Sequence, residues 1–235
     1  MTDVNILIAA AISLAVIHTV IGVDHYIPFI ALSRANSWTM KKTTLVVLVC
    51  GIGHVASSVF LGFVGIGLSS AVTSLVDIES FRGMLATYFL IAFGFIYMVY
   101  GIRVAMKNKT HRHTTHDGHT LSHTHFKGRE IHEHKKADSK KSGGVLWGLF
   151  IIFVLGPCEP LIPILMYPAA TYNTFALIAV TACFAVFTIG TMLMMTVLGL
   201  KGISFLKVGK LEHYAHALAG FAVLLCGISV LALPI

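Results

Sequence analysis

The sequence predicts an all-α membrane protein: six transmembrane helices arranged as an inverted 3+3 repeat, with helices 1 and 4 broken near the bilayer midplane. Three observations carry that expectation: an apolar composition, six apolar stretches of bilayer length, and basic residues gathered in alternate loops. Of the 235 residues, 56% are hydrophobic and only 11% are charged, well beyond the apolar share of a soluble domain.

Crossing the hydrocarbon takes about 20 apolar residues in a helix. Such stretches run over Val4–Ala31, Leu45–Leu68, Met84–Met106, Val145–Tyr167, Phe175–Leu200 and Ala215–Leu233. The first begins MTDVNILIAAAISL, with an acid at Asp3 and no Lys or Arg. It lacks the basic n-region of a cleavable signal peptide and is expected to remain as a span. Arg34, Lys41 and Lys42 follow span one, ten basic residues cluster from Arg103 to Lys141, and Lys201, Lys207 and Lys210 follow span five. By the positive-inside rule these alternate loops are cytoplasmic and both termini lie outside, in a multi-pass protein of the plasma (inner) membrane. The chain then divides into a first three-helix repeat (1–106), a cytoplasmic His-rich loop (107–142) and a second three-helix repeat (143–235).

The net charge of +7 sits in loops beside membrane spans. Its expected partner is the anionic lipid surface rather than nucleic acid. Cys50, Cys158, Cys183 and Cys226 all fall inside spans and form no secreted disulfide framework.

Gly22, Asp24 and His25 align with Gly156, Cys158 and Glu159, and Pro28 with Pro163 after a one-residue insertion. Gly53, Gly62 and Gly65 match Gly190, Gly199 and Gly202 at one offset, while Glu79 and Gly94 match Glu212 and Gly227. Each half has an odd number of spans, so a duplicated half enters the membrane from the opposite side. That is the inverted repeat of many secondary transporters, whose working site lies at the midplane.

Polar groups inside spans cost a few kcal/mol each and need a partner or a purpose. His18, Asp24, His25, His54 and Glu159 are such groups, and Cys158 is a soft potential ligand beside Glu159. In HTVIGVDHYIP, Gly22 and Pro28 bracket Asp24 and His25 with weakened backbone hydrogen bonds, which predicts a break. On an unbroken helix His18 and His25 would lie about 10.5 Å apart along the axis; a break shortens that distance. GPCEPLIP, residues 156–163, carries Pro157, Pro160 and Pro163, so helix 4 must also be discontinuous. Both breaks must face protein or a water-filled cavity, where freed carbonyls can coordinate an ion.

Imidazole, carboxylate and thiolate together suit Ni, Co, Zn or Cu better than Mg or Ca. The competing reading makes His18 and His54 interhelical hydrogen-bond partners, with Asp24 and Glu159 as a proton relay for another solute. Between spans three and four lie His111, His113, His116, His119, His123, His125, His132 and His134. Their His-x-His and His-x-x-His spacings suit metal capture, on a loop expected to be disordered without metal. Glu79 and Glu212 are expected to stabilise the N-termini of helices three and six. His213 and His216 read as an interfacial pair, and Gly62, Gly65 and Gly67 as close-packing positions.

At these residues the chain resembles the nickel/cobalt transporter superfamily, whose hallmark is a histidine, four residues and Asp-His in a membrane helix. His18 with Asp24 and His25 is the matching stretch, with five intervening residues instead of four. His54 in CGIGHVASS resembles the histidine of the next family helix, and FVLGPCEPLIP the proline-rich segment that opens the second half. The His-rich loop is similar to that of the efflux members. The same broad fold resembles sulfite-exporter-like permeases and the thiol-disulfide carriers of cytochrome biogenesis, which place a cysteine in each repeat.

The resemblance implies a secondary permease, not an enzyme, for a divalent transition metal: Ni²⁺ or Co²⁺ first, Zn or Cu next. Its metal-site residues are His18, Asp24, His25, His54, Cys158 and Glu159. The metal is transported substrate and no tightly bound cofactor is expected; a homo-oligomer stays open. No GxxxxGK[ST] loop is present, so ATP is not the chain's own energy source. The alternatives are an anion or sulfite-type exporter and a thiol-disulfide electron carrier using Cys158 and Cys50.

Overall fold

The computed structural model describes residues 2–67, 72–107, 111–114, 120–123, 142–156, 158, 160–170, 174–204 and 209–232. Eight α-helices carry nearly all of them: α1 (Thr2–Ile21), α2 (Ile27–Ala35), α3 (Met40–Gly67), α4 (Val72–Lys107), α5 (Ser142–Leu155), α6 (Leu161–Ala170), α7 (Thr174–Ser204) and α8 (Ala215–Ala232). Five helical stretches are long and apolar enough to cross a membrane: Val4–Ile21, Met40–Val64, Asp77–Lys107, Thr174–Ser204 and Glu212–Ala232. The chain is a multi-pass membrane protein. In lipid every backbone polar group must be satisfied internally, which is why these apolar segments are helical along their length.

The fourth sequence span is two shorter helices. The 14 residues of α5 reach about 21 Å, short of the roughly 30 Å hydrocarbon core, and the chain resumes as α6 only at Leu161. The first span likewise stops at Ile21, makes a single 3₁₀ turn over Val23–His25, and resumes as α2 with Pro28 in its first turn. Proline is tolerated there because the first amides of a helix have no intrahelical partner.

Within the His-rich stretch, β1 (His111–Thr114) pairs antiparallel with β2 (Thr120–His123), setting His111 opposite His123 and His113 opposite Leu121. This short ribbon lies in the loop expected to be disordered, and nearly all the rest of the described chain is helical. His116, His119, His125, His132 and His134 lie outside the described residues.

The helices pair across the two halves of the chain. α1 packs on α7, α5 and α6 pack on α3, and α4 packs along α8, which makes the most extensive contact. One buried cluster gathers Phe29, Leu32, Val47, Leu149, Phe153 and Met192. A second gathers Ala11, Ala15, Cys158, Leu161, Leu165 and Phe184.

One expectation about acids and helix ends changes. α4 begins at Val72, so Glu79 stands two turns inside the helix rather than at its N-terminus, with its side chain 1% exposed and bonded to Arg82. Glu212 lies in the 3₁₀ segment Gly209–Tyr214 just before α8. His213 and His216 face different partners: His213 Nε2 donates to the Ala105 carbonyl at 2.8 Å, and His216 Nδ1 is 2.9 Å from Tyr97 Oη.

Candidate metal centre

The interruption after α1 folds the chain back on itself. Gly22 N–H closes the last turn of α1 on the His18 carbonyl at 2.8 Å, while the Gly22 carbonyl accepts the His25 amide at 3.0 Å and the His25 ring at 3.0 Å. A Cβ at position 22 would sit 2.5 Å from His25 Nδ1, so any larger residue there would push the His25 ring out of place. The tight turn brings the His18 and His25 rings to 4.8 Å between centroids, less than half the axial separation on a straight helix.

The third imidazole comes from α3. His54 packs edge-on against His25 at 5.1 Å and donates from Nδ1 to the Phe153 carbonyl at 3.2 Å. That carbonyl is available because residue 157, four positions on, is proline and has no N–H to return. The proline-rich segment of one half therefore supplies the acceptor that orients a histidine of the other.

A carbonyl can only accept, so these bonds fix tautomers. His54 carries its proton on Nδ1, and so does His25, whose Nδ1–H is shared between the Gly22 carbonyl and Asp24 Oδ1 at 3.2 Å. Both rings then present a bare Nε2. The Nε2 atoms of His18, His25 and His54 are all buried with no hydrogen-bond partner among the described residues. One ligand atom from each histidine lies within 4.8 Å of the other two.

Metal–nitrogen bonds of about 2.1 Å place two ligands of a tetrahedral ion about 3.4 Å apart, so a bound ion would draw the most widely separated pair of rings together by up to about 1.4 Å. The donors fit a transition ion: three neutral nitrogens, with a carboxylate behind one ring, as outer partners of ligating histidines usually are. A cavity of about 640 Å³ reaches the three rings and is walled by Met84 and Thr87 of α4 and Ser229 of α8.

Of the six residues the sequence singled out, the fold brings three imidazoles together and sets Asp24 behind His25. Cys158 is elsewhere, fully buried in the cluster with Ala11 and Ala15, with its N–H on Ser58 Oγ at 3.1 Å. Glu159 lies outside the described residues.

Residues 27–229 match the model of a family described as the cytochrome c biogenesis protein transmembrane region. The chain belongs to that family. The match corrects the resemblance drawn from the His18, Asp24, His25 motif: the family is not the nickel/cobalt transporter superfamily but this one, to which the thiol-disulfide carriers named beside it are nearer. Spacing misled because His18, Asp24 and His25 all precede residue 27 and contribute nothing to the matched region. No curated protein and no solved structure matches the chain.

The family match favours the thiol-disulfide alternative, so the cysteines must be placed. None of the four is in a disulfide. Cys50 lies in the cluster with Leu32 and Met192, Cys158 in the other. Ser58, which holds the Cys158 amide, is eight residues beyond Cys50, about 12 Å along α3. A disulfide needs its Cα atoms within about 7 Å, so joining these two would take a change in helix arrangement.

Sequence reasoning missed the residues that hold the centre's frame: Ser57, Ser58 and Arg82. Arg82 had one signal, as the only basic residue of seventeen outside the three loop clusters.

Proposed function

We propose that this member of the family is a secondary permease for a divalent transition-metal ion, bound at His18, His25 and His54. The observation that carries the reading is the convergence of three buried imidazoles on one cavity, each with an Nε2 that has no hydrogen-bond partner among the described residues. A buried polar atom without a partner costs about 1–3 kcal/mol; three facing each other are better explained by an ion they share than by packing. Nickel and cobalt owed their precedence to the resemblance now replaced. Imidazole nitrogen serves Ni²⁺, Co²⁺, Zn²⁺ and Cu²⁺ alike, and Asp24 contributes the negative charge.

The helix pairing supports an inverted repeat, since span one packs on five, four on two and three on six, as a two-fold axis between the halves requires. His54 stands 14 residues after the start of the 28-residue α3 and 13 before its end, which suits a site near the midplane. With the basic loops cytoplasmic, the cavity between the early turns of α4 and the last residues of α8 opens to the opposite face. On the cytoplasmic side of the centre, the rings of Phe29 and Phe153 pack tilted against each other with centroids 4.6 Å apart. They close the inner path in this state, and alternating access requires them to part.

Proteoliposomes with wild-type protein should take up Co²⁺ or Ni²⁺ several-fold faster than protein-free vesicles, and equilibrium dialysis should find one tight site per chain with residues 111–134 deleted. Flux indistinguishable from empty vesicles with every first-row divalent ion tested would sink the reading.

The family match favours one second reading, a thiol-disulfide carrier using Cys50 and Cys158. In that case Cys50→Ser with Cys158→Ser abolishes electron transfer across the membrane; in the metal reading the double variant keeps its metal site. An anion permease has no such support, because Arg82, a half-buried cation near the cavity, is already bonded to Glu79.

A further inference from the structure

The end of α5 leaves two consecutive carbonyls without helical donors. Phe153 O lacks one because residue 157 is proline, and Val154 O lacks one because the Cys158 amide has gone to Ser58 Oγ. Phe153 O takes His54 Nδ1. Val154 O takes Arg82 Nη2 at 2.9 Å.

That same Nη2 donates its second hydrogen to Ser57 Oγ at 2.8 Å, and Ser57 in turn donates to the His54 carbonyl at 2.8 Å. Nη1 is bonded to Glu79 Oε1 at 2.8 Å, one helical turn back on α4. One guanidinium therefore grips the backbone of His54 through Ser57, and the peptide next to the His54 acceptor through Val154. Glu79 fixes the plane of the fork and balances its charge.

We propose that Arg82 is a positioning residue for the His18–His25–His54 centre: it holds the α3 and α5 segments in the register that keeps His54 Nδ1 on Phe153 O and Nε2 toward the other two rings. Arginine is needed because one planar group spans Glu79, Ser57 and Val154 at once; lysine has a single nitrogen and cannot. The inference rests on the metal reading for its consequence but not for its geometry.

Two measurements on the full chain in detergent test it, with Co²⁺ as the probe. In the first, Arg82→Lys should weaken Co²⁺ binding about 10–100-fold, the range for loss of an outer-shell partner, and shift the ligand-field bands as His54 is replaced by water. In a His54→Ala background the same substitution should have almost no further effect on affinity, because its action passes through His54. Unchanged bands in Arg82→Lys, or losses that add in full across the double variant, overturn the proposal.

The second measurement needs no metal. With ¹⁵N-labelled histidine, the His54 signals, identified by their loss in His54→Ala, should report an Nδ1-protonated ring in wild type and mixed tautomers in Arg82→Lys; an identical tautomer in both overturns it. If wild type binds no Co²⁺ yet the tautomer changes as expected, the metal reading fails and the positioning role stands. Should Arg82→Lys not fold, Ser57→Ala removes the bridging hydroxyl without touching a charge and should move both readouts in the same direction by less.

Discussion

Replacing His54 by alanine is expected to weaken Co²⁺ or Ni²⁺ binding at least ~100-fold, measured by equilibrium dialysis of the purified full chain, since losing a ligand should exceed the 10–100-fold of an outer-shell change. Two imidazoles would remain, both on the α1–α2 turn. The ion would lose its only tie to α3, and the Phe153 carbonyl would lose its donor. Asp24→Asn should cost less, about 10–100-fold, because Asp24 orients His25 and balances charge without being one of the converging donors.

Melting temperature supplies an independent readout of opposite character. Saturating metal raises the stability of wild type by RT ln(1 + [L]/Kd), about 2.7 kcal/mol at 100 times the dissociation constant. His54→Ala should show almost no metal-dependent rise at the same concentration. A rise equal to wild type in the variant would remove His54 from the centre, whatever its effect on transport.

How much of this was legible in the sequence depends on the range of the interaction. The spans and the turn at Gly22 follow from local composition, because hydropathy and glycine or proline act within a few residues. That His18 and His25 would approach was also readable, since one turn joins them. The link from His54 to Phe153 was not: it crosses 99 residues, and proline's effect there is to leave a carbonyl for someone else, with no pattern naming the recipient. Arg82 and Glu79 were opaque for the same reason. The apolar run begins at Met84 and so places Glu79 at a helix cap, whereas the helix starts twelve residues earlier at Val72. Cys50 and Cys158, one from each half, separate in space because Cys50 and the partner of the Cys158 amide occupy different turns of α3. Glycine matching between halves was similarly incomplete: a Cβ on Gly53 would press on Phe150 and Val154, while one on Gly190 meets nothing within 4 Å.

Gly220→Val and Gly101→Val should be the most damaging single changes to the helix bundle. A Cβ at Gly220 would land on the backbone of Tyr97 and Met98, one at Gly101 on the backbone of His216 and Ala217, and one at Gly94 on Leu224. Backbone cannot rotate aside as a side chain can, so α4 and α8 would have to separate along the contact that joins the halves most extensively. Lipid offers no hydrophobic force to restore it, because association there rests on close packing. Overpacking typically costs 1–3 kcal/mol, and a backbone clash belongs at or above the top of that range. Thermal unfolding in detergent should place Gly220→Val and Gly101→Val far below wild type. Gly190→Ala, with open space at its Cβ inside α7, should match wild type or exceed it by about 0.5–1 kcal/mol, the usual helical advantage of Ala over Gly. Equal tolerance at Gly220 and Gly190 would mean that α4 and α8 are not held at backbone contact. The contact also bears on the site: it runs from Ile91 against Gly227 to Ala105 against His213 and ends where the cavity begins, at Leu90 and Thr87. A variant that pries this seam apart should therefore weaken metal binding only as the fold itself loosens, whereas His54→Ala removes binding from a bundle that still melts near its metal-free temperature.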